Sequence, residues 1–333
     1  MIKRLLIGTF VSATCLVATA QTVTIYQNNG EKIKYNVSDV EKIVFEEDKP
    51  FDETNLLSEQ YVPCEGFRNW IDQHLANGSG YYSLEEAAAY TGDINISQVE
   101  EITDIKGIEY FTGLTALIGE DSYFGNFDIE ALKSLQYLKL VNTRVTRLDF
   151  TGLKDLQKVF ISRNKLNYLN LAQNPNLQKL WCDCNELTSL DLTGCSGLTE
   201  LVCSYNQLQS LILPECPLEI LSAHENTIHN INLSGVKATL QHLSVANCGL
   251  NSVDVSGAKK LQYFDASSNP LLTTPDIKGC SRLEEFRLED ITAEMHPDFS
   301  DCTRINMIRM DRCNLGKSID LTANKKLYEL SLQ

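Results

Sequence analysis

Metal chemistry is the first possibility that the residue types raise. The chain of 333 residues contains eleven cysteines and five histidines. Cys182 and Cys184, separated by one residue, form a close pair that suggests two ligands of a zinc site. No second cysteine pair and no histidine cluster supplies the ligands that a four-coordinate site would still need. The sequence therefore predicts no metal site.

Hydrolysis is the second possibility. In the repeat register described below, Ser222, Ser244, His224, His242 and Asp265 come close together on one face. A serine nucleophile with His242 as its base and Asp265 as the orienting carboxylate would form a hydrolytic set. The sequence supplies no oxyanion hole, no lid and no Gly-rich phosphate loop. We therefore predict a protein that is not an enzyme and uses no cofactor.

A repeat of 20–22 residues positions these side chains. The segment 198–217, LTELVCSYNQLQSLILPECP, has apolar residues at its first, fourth, sixth, eleventh, fourteenth and sixteenth positions. This is the leucine-rich repeat pattern, L-x-x-L-x-L-x-x-N/C-x-L. The pattern predicts an α/β solenoid with ten full units and a partial one over residues 114–333. The units begin at Leu114, Leu135, Leu156, Leu177, Leu198, Leu218, Leu240, Leu261, Leu283, Ile305 and Leu327.

The spacing within a unit explains why such units stack. The fourth and sixth residues point inward from a short strand, and the residues between them point outward. One strand cannot bury its apolar side alone, so neighbouring units pair into a parallel concave sheet over a continuous core. The ninth residue turns the chain, and its buried amide must find partners in adjacent loops. The asparagines of this structural column are Asn164, Asn185, Asn206, Asn226 and Asn269.

The outward positions of the predicted strands carry the candidate binding site. Aromatic side chains recur there near the N-terminal end of the array, with lysines around them. Exposed aromatic rings within a polar rim are typical of interaction sites. The alternative is that the cap or the N-terminal segment covers them. The predicted ligand-binding patch comprises Tyr137, Lys139, Lys158, Phe160, Lys179, Trp181, Val202, Tyr205 and Ile220.

The N-terminal segment predicts export. MIKRLLIGTFVSATCLVATAQ has a short basic end, an apolar run and the small residues Ala18-Thr19-Ala20 that are typical of a cleavage site. We expect a signal peptide over residues 1–20 and a mature protein that is periplasmic, cell-surface or secreted. A lipoprotein signal acylated at Cys15 fits the preceding residues less well. No segment reaches the length of a membrane span.

Most of the remaining cysteines follow the repeat. Cys182 and Cys203 occupy a core position, and Cys248 occupies the ninth position, where cysteine is an accepted alternative to asparagine. Cysteine packs as a small hydrophobe, so these placements predict free thiols. Export permits disulfides between stacked neighbours, and that alternative stays open.

Three segments precede the array. Residues 21–47 resemble short β-strands around a turn at residues 28–30, which predicts a small β-strand module. Residues 48–63 are acidic with a proline and predict a linker. Residues 64–113 contain two helical patterns, the second with a capping-box motif. A repeat array needs a polar-faced cap over its first core layer, so we predict a helical N-terminal cap there.

The segment 83–117, SLEEAAAYTGDINISQVEEITDIKGIEYFTGLTAL, carries a family resemblance. With the 21-residue repeats that follow, it resembles the cap and array of internalin-like bacterial leucine-rich repeat proteins. The I-x-G-I-E-Y-F-x-x-L-T motif is fairly specific, and the resemblance covers about residues 85–333. It implies an exported, often surface-associated protein that binds other macromolecules. Relatives often carry a calcium-type loop before the second helix, but HLANGSGYYSLEEA here lacks its alternating Asp and Asn residues.

Charge and pattern together define the predicted function. The formal net charge is −15, and it becomes −17 without the first twenty residues, which argues against a nucleic-acid partner. We predict an exported leucine-rich repeat binding module that recognises a protein or a glycan on its concave face. The alternative is a structural cell-envelope component without a dedicated ligand. The final segment 327–333, LYELSLQ, predicts weak self-association through an open strand edge.

Overall fold

The protein is described here from a computed structural model. Its chain forms two compact units, Met1–Thr54 and Asn55–Gln333. The structure describes residues 16–19, 22–26, 32–36, 54–316 and 318–333. Four sequence predictions fall wholly or partly outside the described residues: most of the signal peptide including Cys15, the cleavage site after Ala20, the turn at residues 28–30 and the linker residues 48–53.

The first unit contains an antiparallel sheet with the strand order β1-β2-β3. Its strands are β1 (Leu16–Thr19), β2 (Thr22–Tyr26) and β3 (Lys32–Asn36). β2 pairs with β3 over five residues, from Thr22 opposite Asn36 to Tyr26 opposite Lys32. β2 and β3 lie within the predicted β-strand module, whereas β1 lies within the predicted signal peptide.

The second unit begins with two helices, α1 (Glu65–His74) and α2 (Leu84–Ala89). The capping box predicted for the second helix is formed. Ser83 Oγ accepts the Glu86 backbone N–H at 3.0 Å, and a Glu86 carboxylate oxygen accepts the Ser83 backbone N–H at 2.8 Å. These bonds satisfy donors that have no partner within the helix, so α2 begins at a defined residue. A short 3-10 helix follows at Ile108–Tyr110.

The helices bury an apolar side against the repeat core. Phe67 and Ile71 of α1 are fully buried and belong to the same hydrophobic cluster as the repeat leucines. Leu56 and Val62 are fully buried in that cluster too. This differs from the predicted linker at residues 48–63, because residues 55–63 are part of the second unit. Acidic composition suggested a linker, but two apolar side chains suffice to anchor such a short segment.

The main sheet in the described part of the chain has twelve strands, and the pairings between its neighbours are parallel. Its face away from the core is called the concave face below. The prediction of a parallel-sheet leucine-rich repeat solenoid is confirmed. The strands are β4 (Asp93–Asn95), β5 (Ala116–Ile118), β6 (Tyr137–Lys139), β8 (Lys158–Phe160), β10 (Lys179–Trp181), β12 (Glu200–Val202), β14 (Ile220–Ser222), β15 (His242–Ser244), β16 (Tyr263–Asp265), β17 (Glu285–Arg287), β18 (Met307–Arg309) and β19 (Glu329–Ser331).

The strand register places equivalent residues of successive units side by side. Val159 pairs with Leu180, and Leu180 pairs with Leu201. These middle residues are fully buried, whereas both neighbours of each point to the concave face. A three-residue strand with a period of two can bury only its middle residue on one side. The period therefore assigns the first and third residues of each strand to the concave face.

Two smaller sheets of two strands each lie outside the main sheet. Strands β7 (Arg147–Asp149) and β9 (Tyr168–Asn170) form one parallel pair, and β11 (Ser189–Asp191) and β13 (Ser210–Ile212) form another. The units at residues 261–304, which prolines interrupt, keep the main sheet in register through β16, β17 and β18. The irregular sequence is therefore accommodated outside the main sheet.

The asparagine column lies under the turns that follow the concave strands. The Asn185 side-chain N–H2 donates to the carbonyl oxygens of Ile161 and Cys182 at 2.9 and 3.0 Å, and its oxygen accepts the Leu166 N–H at 3.0 Å. Asn164, Asn206, Asn226 and Asn269 make the same kind of contacts. Each amide thus joins its own unit to the preceding one, which satisfies backbone groups that water cannot reach.

A left-handed residue precedes this column in each of the units that begin at residues 114–305. Arg163, Cys184, Tyr205 and Ser268 have φ values of 57°, 54°, 53° and 56°. Left-handed backbone costs a non-glycine residue roughly 1–2 kcal/mol. Neighbouring turns hold the conformation, since the Tyr205 N–H donates to the His224 carbonyl at 3.0 Å. The sequence pattern did not reveal this column, because its residues share neither polarity nor size.

No helix in the described ranges combines the length and the apolar character needed to cross a bilayer. No group of three or more His, Cys, Asp or Glu side chains within the same ranges is arranged to hold a metal ion.

Candidate functional site

A groove of about 530 Å³ lies on the concave face over β6, β8, β10 and β12. The strands place the same repeat positions side by side, so Lys139, Phe160, Trp181 and Val202 form one row across the sheet. Tyr137 lies diagonally from Phe160. The complete lining consists of Glu120, Tyr137, Lys139, Val141, Phe160, Ser162, Arg163, Trp181, Asp183 and Val202.

Three aromatic rings form the apolar part of the groove. The ring centroids of Tyr137 and Phe160 are 5.6 Å apart, with a tilt of 50° between the ring planes. Those of Phe160 and Trp181 are 5.1 Å apart at 88°, an edge-to-face contact. Trp181 remains 39% exposed, although it is a large apolar side chain. Such exposure leaves apolar surface that a partner can remove from water.

Two of the predicted rim lysines are already paired with carboxylates. Lys139 Nζ lies 2.7 Å from a Glu120 carboxylate oxygen, and this hydrogen bond raises the pKa of Lys139. Lys179 Nζ lies 2.6 Å from one oxygen of Glu200, whose other oxygen accepts the Trp181 indole N–H at 2.7 Å. Glu200 therefore orients the Trp181 indole ring and neutralises Lys179.

Four predicted patch residues lie outside the groove lining. Lys158 and Lys179 are the first residues of β8 and β10, and Ile220 begins β14 and is half-buried. Tyr205 is 55% exposed, and its ring meets His224 edge-to-face at 5.2 Å. The predicted patch is thus broader than the groove and extends from it toward the middle of the array.

The sequence analysis missed five lining residues. Glu120, Val141, Ser162 and Asp183 occupy the seventh position of their units, and Arg163 occupies the eighth. The signal was present in the repeat, because the seventh residue continues the outward alternation of the third and fifth residues. Ser162 donates to an Asp183 carboxylate oxygen in the next unit. The seventh column therefore forms the polar wall of the groove.

A serine–histidine cluster follows the groove along the same face. His224 Nδ1 lies 3.0 Å from Ser204 Oγ, 3.1 Å from Ser222 Oγ and 3.3 Å from Ser244 Oγ. The three hydroxyl groups and the ring nitrogen thus serve as hydrogen-bond partners for one another. The cluster makes this part of the face polar and separates the aromatic groove from the C-terminal half.

The hydrolytic arrangement weighed from the sequence is not formed. His242 Nδ1 is buried and has no hydrogen-bond partner, and the nearby serines contact His224 instead. His242 stacks on Tyr263 at 4.3 Å, and desolvation by burial lowers its pKa although Asp265 and Glu285 oppose the shift. Asp265 accepts the Tyr263 hydroxyl at 3.3 Å rather than orienting the histidine. Without a serine hydroxyl in contact, His242 cannot act as a general base toward a serine nucleophile.

Solved structures show what this architecture is similar to. No protein-family model matches the sequence, and no curated protein is detectably similar to it. The functional domain of InlJ from Listeria monocytogenes, described as including a cysteine ladder, is 21% identical with a TM-score of 0.51; the match covers 82% of this chain and 74% of that domain. This similarity supports the predicted internalin-like leucine-rich repeat fold.

Two further solved structures share the leucine-rich repeat fold. A chain of the LRIM1/APL1C complex is 18% identical with a TM-score of 0.59, and the match covers 69% of this chain and 45% of that one. The APL1 leucine-rich repeat domain is 17% identical with a TM-score of 0.54, covering 63% of this chain and 58% of that one. At such low sequence identities, the similarity to these structures shows a shared fold only.

Most cysteines of this array lie in three columns: the asparagine column, a second column three residues before the start of the next unit, and the core position of Cys182 and Cys203. The ten cysteines of the described residues are free thiols. Cys248 stands in the asparagine column and donates to the Ala223 carbonyl at 3.1 Å. In the second column, Cys280 donates to the Val255 carbonyl at 3.3 Å. Burial raises the pKa of Cys248 to about 12 and that of Cys280 to about 11. These thiols therefore stay protonated and unreactive at neutral pH.

Asparagines share that second column with the cysteines. Asn174 donates to the carbonyl oxygens of Phe150 and Leu153 at 3.1 and 2.8 Å, and Asn324 makes equivalent contacts two units from the cysteine at position 280. The column thus needs a small buried donor, which either side chain supplies.

Proposed function

We propose that this protein is an exported binding module that recognises a protein through the aromatic groove on its concave face. The observation that carries the proposal is the exposure of Trp181 beside Phe160 in a groove of about 530 Å³. Large aromatic side chains at the centre of a concave surface are the residues that dominate protein interfaces. The proposal includes no catalytic role and no cofactor.

The polar surroundings of the groove support the same function. Glu120, Glu200 and Asp183 hold Lys139, Trp181 and Ser162 in fixed positions before any partner arrives. A preorganised face loses less side-chain freedom on binding than a mobile one. The groove therefore presents rigid aromatic anchors in a polar rim.

Export is part of the proposal and follows from the N-terminal sequence. Cleavage after Ala20 would remove the basic end and the apolar run of residues 1–20. Intact-mass spectrometry of the protein secreted by its own host should show Gln21 as the first residue. An acylated N-terminal Cys15 would instead make the protein a lipoprotein.

The binding proposal is tested by a double substitution with a matched control. Phe160→Ala/Trp181→Ala should abolish capture of a partner from the host envelope and culture medium. The control is Tyr123→Ala/Tyr168→Ala, which removes two rings of similar exposure, 44% and 38%, outside the groove. The control should capture the partner as the unchanged protein does.

Two further readouts separate the outcomes. Treating the extract with protease before capture should remove the ligand, whereas a glycan ligand would survive. Circular-dichroism melts should show only a small loss of stability in the groove variant, because its rings are partly exposed. A large fall in melting temperature together with unchanged capture would refute the groove as the binding site.

A further inference from the structure

The part of the array that carries the groove is basic in a protein that is otherwise acidic. Residues 133–179 contain nine basic and two acidic residues, a formal charge of +7. Residues 55–132 carry −12, and residues 180–333 carry −8. The formal charge of −15 for the whole chain therefore conceals a local change of sign, and the basic segment contains β6, β8 and the first residue of β10.

Most of this positive charge is not neutralised within the protein. Lys139 and Lys179 pair with Glu120 and Glu200. The other seven basic side chains of residues 133–179 are exposed and form no ion pair within the described residues. Unpaired cations at the rim of an interface attract and orient an anionic partner.

Two of the unpaired cations flank the central ring of the groove. Lys158 is the first residue of β8, Phe160 is its third, and Arg163 lines the groove just beyond the strand. An extended chain spans at most roughly 16 Å over these five residue steps. A ligand that runs along β8 can therefore contact a cation, an aromatic ring and a second cation in turn.

We propose that the groove binds a short acidic peptide segment that carries one apolar side chain between its carboxylates. This inference rests on the proposed protein-binding function and names the chemistry of the partner. The apolar side chain packs on Phe160 and Trp181, and the carboxylates pair with Lys158 and Arg163. The rings are tilted by 50° and 88° to one another, so they offer no set of parallel faces for stacked sugars or bases.

The width of the basic region limits the partner to a short segment. Three strands at a spacing of ~4.8 Å span about 14 Å. Residues 55–132 on one side carry a formal charge of −12, and residues 180–333 on the other side carry −8. Screening at physiological salt acts over about 8 Å, so a long polyanion that crossed the sheet would meet like charge. A short acidic peptide stays within the positive region.

Peptide selection tests the chemistry and the proposed function separately. A phage-displayed library of random twelve-residue peptides is selected on the full-length protein and, in parallel, on Phe160→Ala/Trp181→Ala. We expect peptides enriched only on the unchanged protein, with acidic residues on both sides of an apolar one. Groove-dependent enrichment without acidic residues would overturn this inference and leave the proposed function standing. No enrichment over the double variant would overturn both.

Charge reversal then tests the two cations directly. Binding of an enriched synthetic peptide, measured by fluorescence anisotropy at low salt, should weaken at least tenfold in Lys158→Glu/Arg163→Glu. The matched control is Lys259→Glu/Lys260→Glu, which reverses two exposed lysines outside the basic segment and should change the Kd less than twofold. Equal effects of both reversals would overturn the proposal. Tighter binding of heparin or of a fifteen-residue oligothymidylate than of the peptide would do so too.

Discussion

Two regions of the main sheet share a backbone and differ in what they present. Over β6, β8 and β10 the concave face is a groove with three aromatic rings. Over β17, β18 and β19 the same repeat positions carry charged side chains that pair with one another. Arg309 lies 2.6 Å from a Glu329 oxygen, and Arg287 lies 3.3 Å from a Glu285 oxygen.

The difference shows which residues of this fold determine binding specificity. Both regions keep the same pairing register and bury the middle residue of nearly every strand, so the scaffold is insensitive to the outward residues. In the C-terminal region the outward residues satisfy each other's charges. In the groove region they leave apolar rings and cations for a partner. Binding therefore depends on the outward columns, and stability depends on the inward ones.

The sharpest test of this division compares two phenylalanines at adjacent repeat positions. Phe264, the middle residue of β16, is fully buried, whereas Phe160, the third residue of β8, is partly exposed. Phe264→Ala should lower the free energy of unfolding by ~3–5 kcal/mol, because it leaves a cavity in the core. Phe160→Ala should cost about 0.5–1.5 kcal/mol through its lost ring contacts. Urea denaturation measures both, and equal losses would contradict the division.

Two members of the asparagine column, Asn185 after β10 and Asn269 after β16, should both be structural. Asn185→Ala and Asn269→Ala each leave buried backbone groups unpaired, at ~1–3 kcal/mol. Asn269 should cost more, because its oxygen accepts two backbone N–H groups, from Cys248 and Leu250, at 3.0 and 2.9 Å. Lys165→Ala, at an exposed residue beside the column, is the control and should be neutral in the same urea titration. A harmless Asn185→Ala would show that the repeat register is wrong.

Substitution in the column of left-handed residues should have a smaller effect on stability, and it should be a gain rather than a loss. Ser268→Gly should raise stability by about 0.5–1 kcal/mol, because glycine adopts φ of 56° without steric cost but loses more chain entropy on folding. Ser267→Gly is the control at the neighbouring position. Ser267 Oγ accepts the Glu289 N–H at 3.0 Å, so this change should destabilise the protein. Thermal melts that show the two changes to be equivalent would argue against backbone strain in this column.

The repeat spacing alone determined much of this protein. Apolar residues at fixed positions leave one way to bury a three-residue strand, so the core, the strand order and the asparagine contacts follow from the period. The same alternation placed Tyr137, Phe160, Trp181 and Val202 on one face, where the structure finds them lining the groove. The two helices before the array were also predicted from the sequence, and the Ser83 capping box gave a local signal for the second one.

Tertiary structure decided which outward side chains are available. Lys139 and Lys179 were predicted as a free rim, but carboxylates about twenty residues away in sequence neutralise them. His224, rather than His242, receives the serines, because the cluster depends on three strands at once. The repeat period determines the path of the backbone. The hydrogen-bond or ion-pair partner of an outward side chain depends instead on which residues the neighbouring unit places beside it. That choice exists only once the strands are paired.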